Sequence, residues 1–218
     1  MIVFDHTDAQ EPLTIPSITG RHYYGHGAFS PGGELLYVTE NDFDNARGVI
    51  GIAFNPSLHG FAHYADIEPL LWRLKELDLW AQFQVEKDLL LDFLPMLERV
   101  NGKMMFDHCG RPLQDAGVQQ AGFQTLLALG REGRAVVKVS GYAKFSQAGF
   151  PFSDVRPYTD ALVQHFGVHQ CVWASDWPYI KAPYRLDYGP MLKVFEEQFS
   201  AEDRQVMLWD APKKHFGF

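Results

Sequence analysis

From Gly48 onward the chain repeats one unit, an apolar run of strand length followed by an amphipathic stretch of helical length. No other feature restricts the fold as much, because strand–helix repeats lay successive strands parallel in one sheet with the helices packed against it. Strands are expected at 48–55, 79–85, 103–108, 134–141 and 171–176. Helices are expected at 68–77, 89–99, 123–132, 155–166 and over most of 189–209. The result is an α/β chain of about five βα units.

Residues 1–47 follow another pattern. Arg21 to Glu40 reads as two strand-like runs joined by Ser30-Pro31-Gly32-Gly33, a tight-turn sequence, and no helix of useful length can be drawn before residue 60. The expected organisation is therefore a β-rich hairpin segment over 1–47 followed by the βα region over 48–218.

With 218 residues, 46% hydrophobic and 21% charged, the chain can bury a substantial core, which excludes a disordered or fibrous class. A net charge of −8 argues against a nucleic-acid partner. It does not argue against a small anionic substrate, since a few Lys and Arg gathered at a site reverse the local field. No run approaches the roughly 20 apolar residues of a membrane span. The opening MIVFDHTDAQ lacks the basic start and apolar run of a signal peptide, so a cytoplasmic location is expected. Cys109 and Cys171 are too few for a disulfide framework and read as buried, reduced thiols.

Polar residues recur where apolar strands end. Phe106-Asp107-His108-Cys109-Gly110-Arg111-Pro112 closes one strand with Asp-His and then turns sharply. A strand-end histidine can ligate a metal or transfer protons near neutral pH, or it can be a core histidine held by Asp107. Arg111, leaving the same loop, can offer a fork to a carboxylate. In Val172-Trp173-Ala174-Ser175-Asp176-Trp177-Pro178, Asp176 can hold a divalent ion or accept a proton from water, or it can merely cap a turn. Lys138 lies within the apolar run Val137 to Val139, where an ammonium must reach water or meet a carboxylate. Tyr142 and Lys144 follow that strand and are candidate substrate contacts. Alternation places Gln82, Gln84 and Glu86 on one face, which makes Gln84 a weaker candidate of the same kind.

Taken together, FDHCGRP, VVKVSGY, VWASDWP and the terminal HFGF, in this order and spacing, resemble the amidohydrolase-related family that includes 2-pyrone-4,6-dicarboxylate lactonase and related sugar- and muconolactone hydrolases. The resemblance runs from about Gly48 to Phe218. It implies a TIM-like (β/α)8 barrel, here partial, that hydrolyses a small carboxylated lactone or similar cyclic ester. Asp176 would activate the water with His108 beside it, and Arg111 with residues near Tyr142 would bind the substrate's carboxylates. In metal-dependent relatives His108 and Asp176 would help hold a divalent ion, zinc or manganese; the lactonase branch implies none. Residues 1–47, with the run GHGAFSPGGELLYVTEND and the RGVIG that follows, resemble one blade of a β-propeller family of unknown function.

One departure matters. The family opens with a strand carrying His-x-His, and this chain has no such pair. His6, His22, His26, His59 and His63 read as structural or surface residues. The electrophilic half of the site is then expected to be missing. That expectation makes a truncated or chimeric, catalytically inactive barrel the alternative to a working hydrolase, with open sheet edges that invite homo-oligomerisation.

Overall fold

The computed structural model describes residues 51–180 and 182–216 in full and, before residue 51, the backbone of short strands only. The chain divides into two compact units, Met1–Ile52 and Ala53–Phe218. In the first, β1 (Ile2–Val3) pairs antiparallel with β2 (Leu13–Thr14). The longer β3 (Arg21–Phe29) pairs antiparallel with β4 (Leu36–Asp42), which pairs in turn with β5 (Arg47–Gly48). The expected hairpin is thus present, with its turn, 30–35, outside the described residues. His22 and His26 belong to β3, and His6 is outside the described residues.

The larger unit is built on one sheet of five strands, β6 (Gly51–Phe54), β7 (Trp80–Phe83), β8 (Met104–Phe106), β9 (Ala135–Val139) and β10 (Cys171–Trp173). They lie side by side in chain order, and β7 to β10 pair parallel throughout. The short α1 (Pro56–His59) and then α2 (Glu68–Glu76) connect β6 to β7; α3 (Leu89–Val100), α4 (Ala121–Arg131) and α5 (Arg156–Phe166) make the next crossovers. After β10 come α6 (Tyr188–Gln198), α7 (Ala201–Gln205) and α8 (Ala211–Phe216). This is the α/β architecture of a partial TIM-like barrel, as the repeating pattern predicts.

Each helix owes its place to one apolar face. In α3 the buried residues Leu90, Phe93, Met96, Leu97 and Val100 recur at helical spacing and leave Asp92 and Glu98 outside. Between α4 and α5 the approach is closer still, since a Cβ at Gly130 would stand 2.3 Å from the Phe166 ring. Beneath the helices Phe54, Phe83 and Phe106 stack across β6, β7 and β8, with centroids 5.2 and 6.0 Å apart, and Phe93 covers Phe83 at 5.8 Å. Phe83, Phe93 and Phe106 have no exposed surface. Phe106→Ala should therefore cost about 3–5 kcal/mol, measurable as a drop in the urea midpoint with an unchanged slope. A cost under about 1 kcal/mol would mean that the strand stack is not the centre of the core.

Every strand of the sheet ends sooner than its apolar run suggests, and three of them run into left-handed backbone. Those expected at 103–108, 134–141 and 171–176 stop at Phe106, Val139 and Trp173. Just beyond each, His108 (φ 52°), Gly141 (φ 65°) and Asp176 (φ 63°) adopt left-handed backbone, which cannot continue a parallel ladder. No described helix is long and apolar enough to cross a membrane.

Candidate active site

The parallel strands deliver their following residues to one rim of the sheet, the rim at which α/β enzymes assemble sites. The turn after β8 is the most unusual segment. His108, Cys109, Gly110 and Arg111 all have positive φ, between 45° and 72°. Left-handed backbone at a non-glycine residue costs on the order of 1–2 kcal/mol, so the surroundings must hold it. Cross-strand contacts do so at the residue before. Asp107 receives Gln82 Nε2 from β7 at 2.9 Å and lies 3.0 Å from the Lys138 ammonium on β9. The lysine inside an apolar strand is thereby explained. Burial alone would raise the Asp107 carboxyl; Lys138, His108 and Gln82 outweigh it and keep it below the ordinary carboxylate range.

Beyond that clamp, the His108 ring stands between two strand ends. Its Nδ1 is 3.0 Å from Ser140 Oγ and its Nε2 is 3.4 Å from Asp176 Oδ1. The other Asp176 oxygen meets the Lys144 ammonium at 3.1 Å, and Lys144 also donates to the Ile180 carbonyl at 3.1 Å. Gly141 makes room for the ring: a Cβ there would lie 2.6 Å from His108 Cβ and Cγ.

Electrostatics set the protonation states apart. Burial, reinforced by Lys144, Lys138 and Arg111 and opposed by Asp107, brings His108 down to about 3, so its ring is neutral at neutral pH. Burial pushes Asp176 up to about 6, with Lys144 resisting the rise. The pair is thus a neutral imidazole beside a carboxylate that titrates close to neutrality. A carboxylate so poised can take a proton from water.

Arg111 lies on the side of the rim toward β6 and β7, where it meets Glu86 Oε2 at 2.8 Å and donates to Ser57 Oγ at 2.9 Å. Of the candidates read from the sequence, His108, Asp176 and Lys144 converge, and Arg111 closes the same turn as His108. Tyr142 does not join them. It is 2% exposed, and its hydroxyl donates to Gln198 Oε1 at 3.2 Å. Gln84 lies on the rim, but its side chain makes no hydrogen bond among the described residues; its neighbours Gln82 and Glu86 hold the charged groups instead. Ser57, Ser140 and Gly141 escaped the sequence reading, although Ser140-Gly141 follows an apolar strand just as Asp107-His108 does. The two cysteines are buried, and burial pushes the Cys109 thiol up to about 12, so neither supplies a nucleophile. His59 and His63 stack on each other at 4.8 Å.

A zinc-type site needs three or four N, O or S ligands. Among the described residues no three His, Cys, Asp or Glu side chains are grouped to hold a metal. His108 and Asp176 supply two donors, and the Lys144 ammonium already occupies the second carboxylate oxygen. The described site does not fit a resident cation.

Residues 39–218 match the family model described as amidohydrolase, and residues 1–69 match a second model described as a protein of unknown function. The 4-sulfomuconolactone hydrolase of Rhizobium radiobacter is 29% identical over 179 residues, which are 78% of this chain and 59% of the relative. A solved structure from Pseudomonas putida, assigned as a 2-pyrone-4,6-dicarboxylic acid hydrolase, has a TM-score of 0.67 and 30% identity, covering 78% of this chain and 64% of that one. An amidohydrolase from Burkholderia multivorans with bound zinc shares the fold at a TM-score of 0.64 and 20% identity, again over 78% and 64%. The chain spans about three fifths of the length of these relatives.

Proposed function

The chain belongs to the amidohydrolase family, and on that premise we propose that it hydrolyses a small carboxylated lactone or similar cyclic ester, with Asp176 as the base. One observation carries the reading: a neutral His108 ring and a carboxyl raised to about 6 meet within 3.4 Å on one rim. The relatives named for muconolactone and pyrone-dicarboxylate hydrolysis support the substrate class.

The chemistry follows from the contacts. With Asp176 ionised, the arrangement with fewest unfavourable contacts has the Ser140 hydroxyl donating to Nδ1, which leaves the imidazole proton on Nε2, facing the carboxylate. Asp176 accepts a proton as the water oxygen attacks the lactone carbonyl carbon. The Nε2–H of His108 and the Lys144 ammonium are the donors available to the developing oxyanion. When the ring C–O bond breaks, the leaving oxygen takes the proton back from Asp176, giving a hydroxy acid. Arg111 offers its guanidinium to a substrate carboxylate. His108 and Asp176 are also the side chains that would touch a divalent ion, but with no third described ligand beside them the steps above use the protein's own groups.

The pH dependence tests the assignment of the base. Since Asp176 must be ionised, kcat/KM for a muconolactone or for 2-pyrone-4,6-dicarboxylate, corrected for hydroxide-driven hydrolysis, should rise about tenfold per pH unit below pH 6 and level off above it. Lys144→Met should move that limb upward, because Lys144 holds the carboxyl down. A limb that stays put in the variant, or lies near the ordinary carboxylate value, would rule out Asp176 as the titrating base.

A further inference from the structure

We infer that Glu86 is an internal carboxylate that competes with an anionic ligand for Arg111 and is displaced from it when such a ligand binds. The inference rests on the reading above, in which Arg111 receives a substrate carboxylate. Arg111 and Glu86 are joined through a single oxygen, Oε2, at 2.8 Å on Nη2. The adjacent Nε of the same guanidinium edge is buried and has no hydrogen-bond partner among the described residues. A guanidinium edge matches a carboxylate through two parallel N–H···O bonds, so the Glu86 contact leaves half of that edge unused. An unpaired buried donor is costly, and a ligand carboxylate lying flat against Nε and Nη2 would remove the cost.

The surroundings allow the exchange without rebuilding the rim. Arg111 keeps a second anchor, since Nη1 donates to Ser57 Oγ at 2.9 Å and that hydroxyl donates to Asn55 Oδ1 at 2.7 Å. The loops carrying the two charges are also tied by backbone, Lys87 N to Arg111 O at 3.0 Å. Glu86 has another cation within reach, because its Oε1 is 3.9 Å from the largely exposed Lys87 ammonium. Glu86 therefore acts as a selectivity element: a ligand must carry a carboxylate that outcompetes it, and neutral lactones gain nothing from Arg111.

Calorimetric titration with isophthalate, a planar dicarboxylate without a hydrolysable bond, measures the exchange directly. Glu86→Gln keeps the size of the side chain and removes its charge, and it should bind isophthalate at least about fivefold more tightly than the wild type, with the gain shrinking as salt is raised. Arg111→Met should lose most of the binding and, combined with Glu86→Gln, should cancel the gain. Circular dichroism melts of each variant establish that the fold persists. Equal or weaker binding by a folded Glu86→Gln, or binding indifferent to Arg111→Met, overturns the inference. Tighter binding by Glu86→Gln in a protein that turns over no lactone upholds it and removes only the hydrolytic reading.

Discussion

Asp176→Asn should lower kcat for lactone hydrolysis by about 10²–10⁴-fold, the usual contribution of a positioned general base, while the protein stays folded. The amide has the shape of the carboxyl group, so it can still accept from Lys144 through its oxygen and turn its NH₂ toward His108 Nε2, with the ring adopting the tautomer that accepts there. What it cannot do is take a proton from water. Loss of turnover with an intact fold would thus isolate the chemistry from the scaffold.

Stability gives an independent check on the same variant. The Asp176 carboxyl is raised in the folded chain, so its contribution to stability is fully present below the unfolded value near 3.8 and is lost as pH rises through about 6. An amide does not titrate. Between pH 4 and 7 the wild type should therefore lose more of its thermal midpoint than Asp176→Asn does, whatever other groups contribute to both. Parallel melting curves would show that burial does not perturb this group, and unchanged turnover in the variant would remove Asp176 from the mechanism.

Much of this was legible in the chain itself, and what was not has identifiable causes. The Leu-rich face of α3 and the apolar runs of the strands are periodic signals, and these elements fall within a few residues of their expected bounds. His108 and Asp176 could be read because each interrupts an apolar strand with a polar group followed by a turn. Lys138 was readable as a problem, an ammonium in a strand, but its solution on Asp107 needed the register that sets β8 beside β9. Side-chain directions beyond the strand ends were not legible, because left-handed residues redirect the chain there. Tyr142 looked like a rim residue, but Gly141 at φ 65° and the 3₁₀ turn over Tyr142–Lys144 send the tyrosine into the core and bring Lys144 to Asp176. On β7 the alternation sets Gln82, Gln84 and Glu86 on one face, and the partners of Gln82 and Glu86, Asp107 and Arg111, could be found only in the folded chain.

The same left-handed glycine gives the second large effect. Gly141→Ala should reduce stability by about 2–4 kcal/mol, from backbone strain and overpacking together, and should cut kcat/KM at least about tenfold by pushing His108 off Ser140. The added methyl would stand 2.6 Å from His108 Cβ and Cγ and 2.7 Å from Nδ1, so the ring or the strand end must move. Gly133→Ala separates the two causes. Gly133 has nearly the same backbone, φ 68°, but a Cβ there meets nothing within 4 Å, and it sits in the turn before β9, on the opposite rim from His108. It should therefore cost only the conformational part, about 1–2 kcal/mol, with kcat/KM unchanged. The difference between the two alanine variants reads the pressure on the imidazole directly. If urea unfolding and turnover give the same values for both, the close contact at Gly141 does not hold His108 in place, and the ring's position must be set by the Asp107 clamp alone.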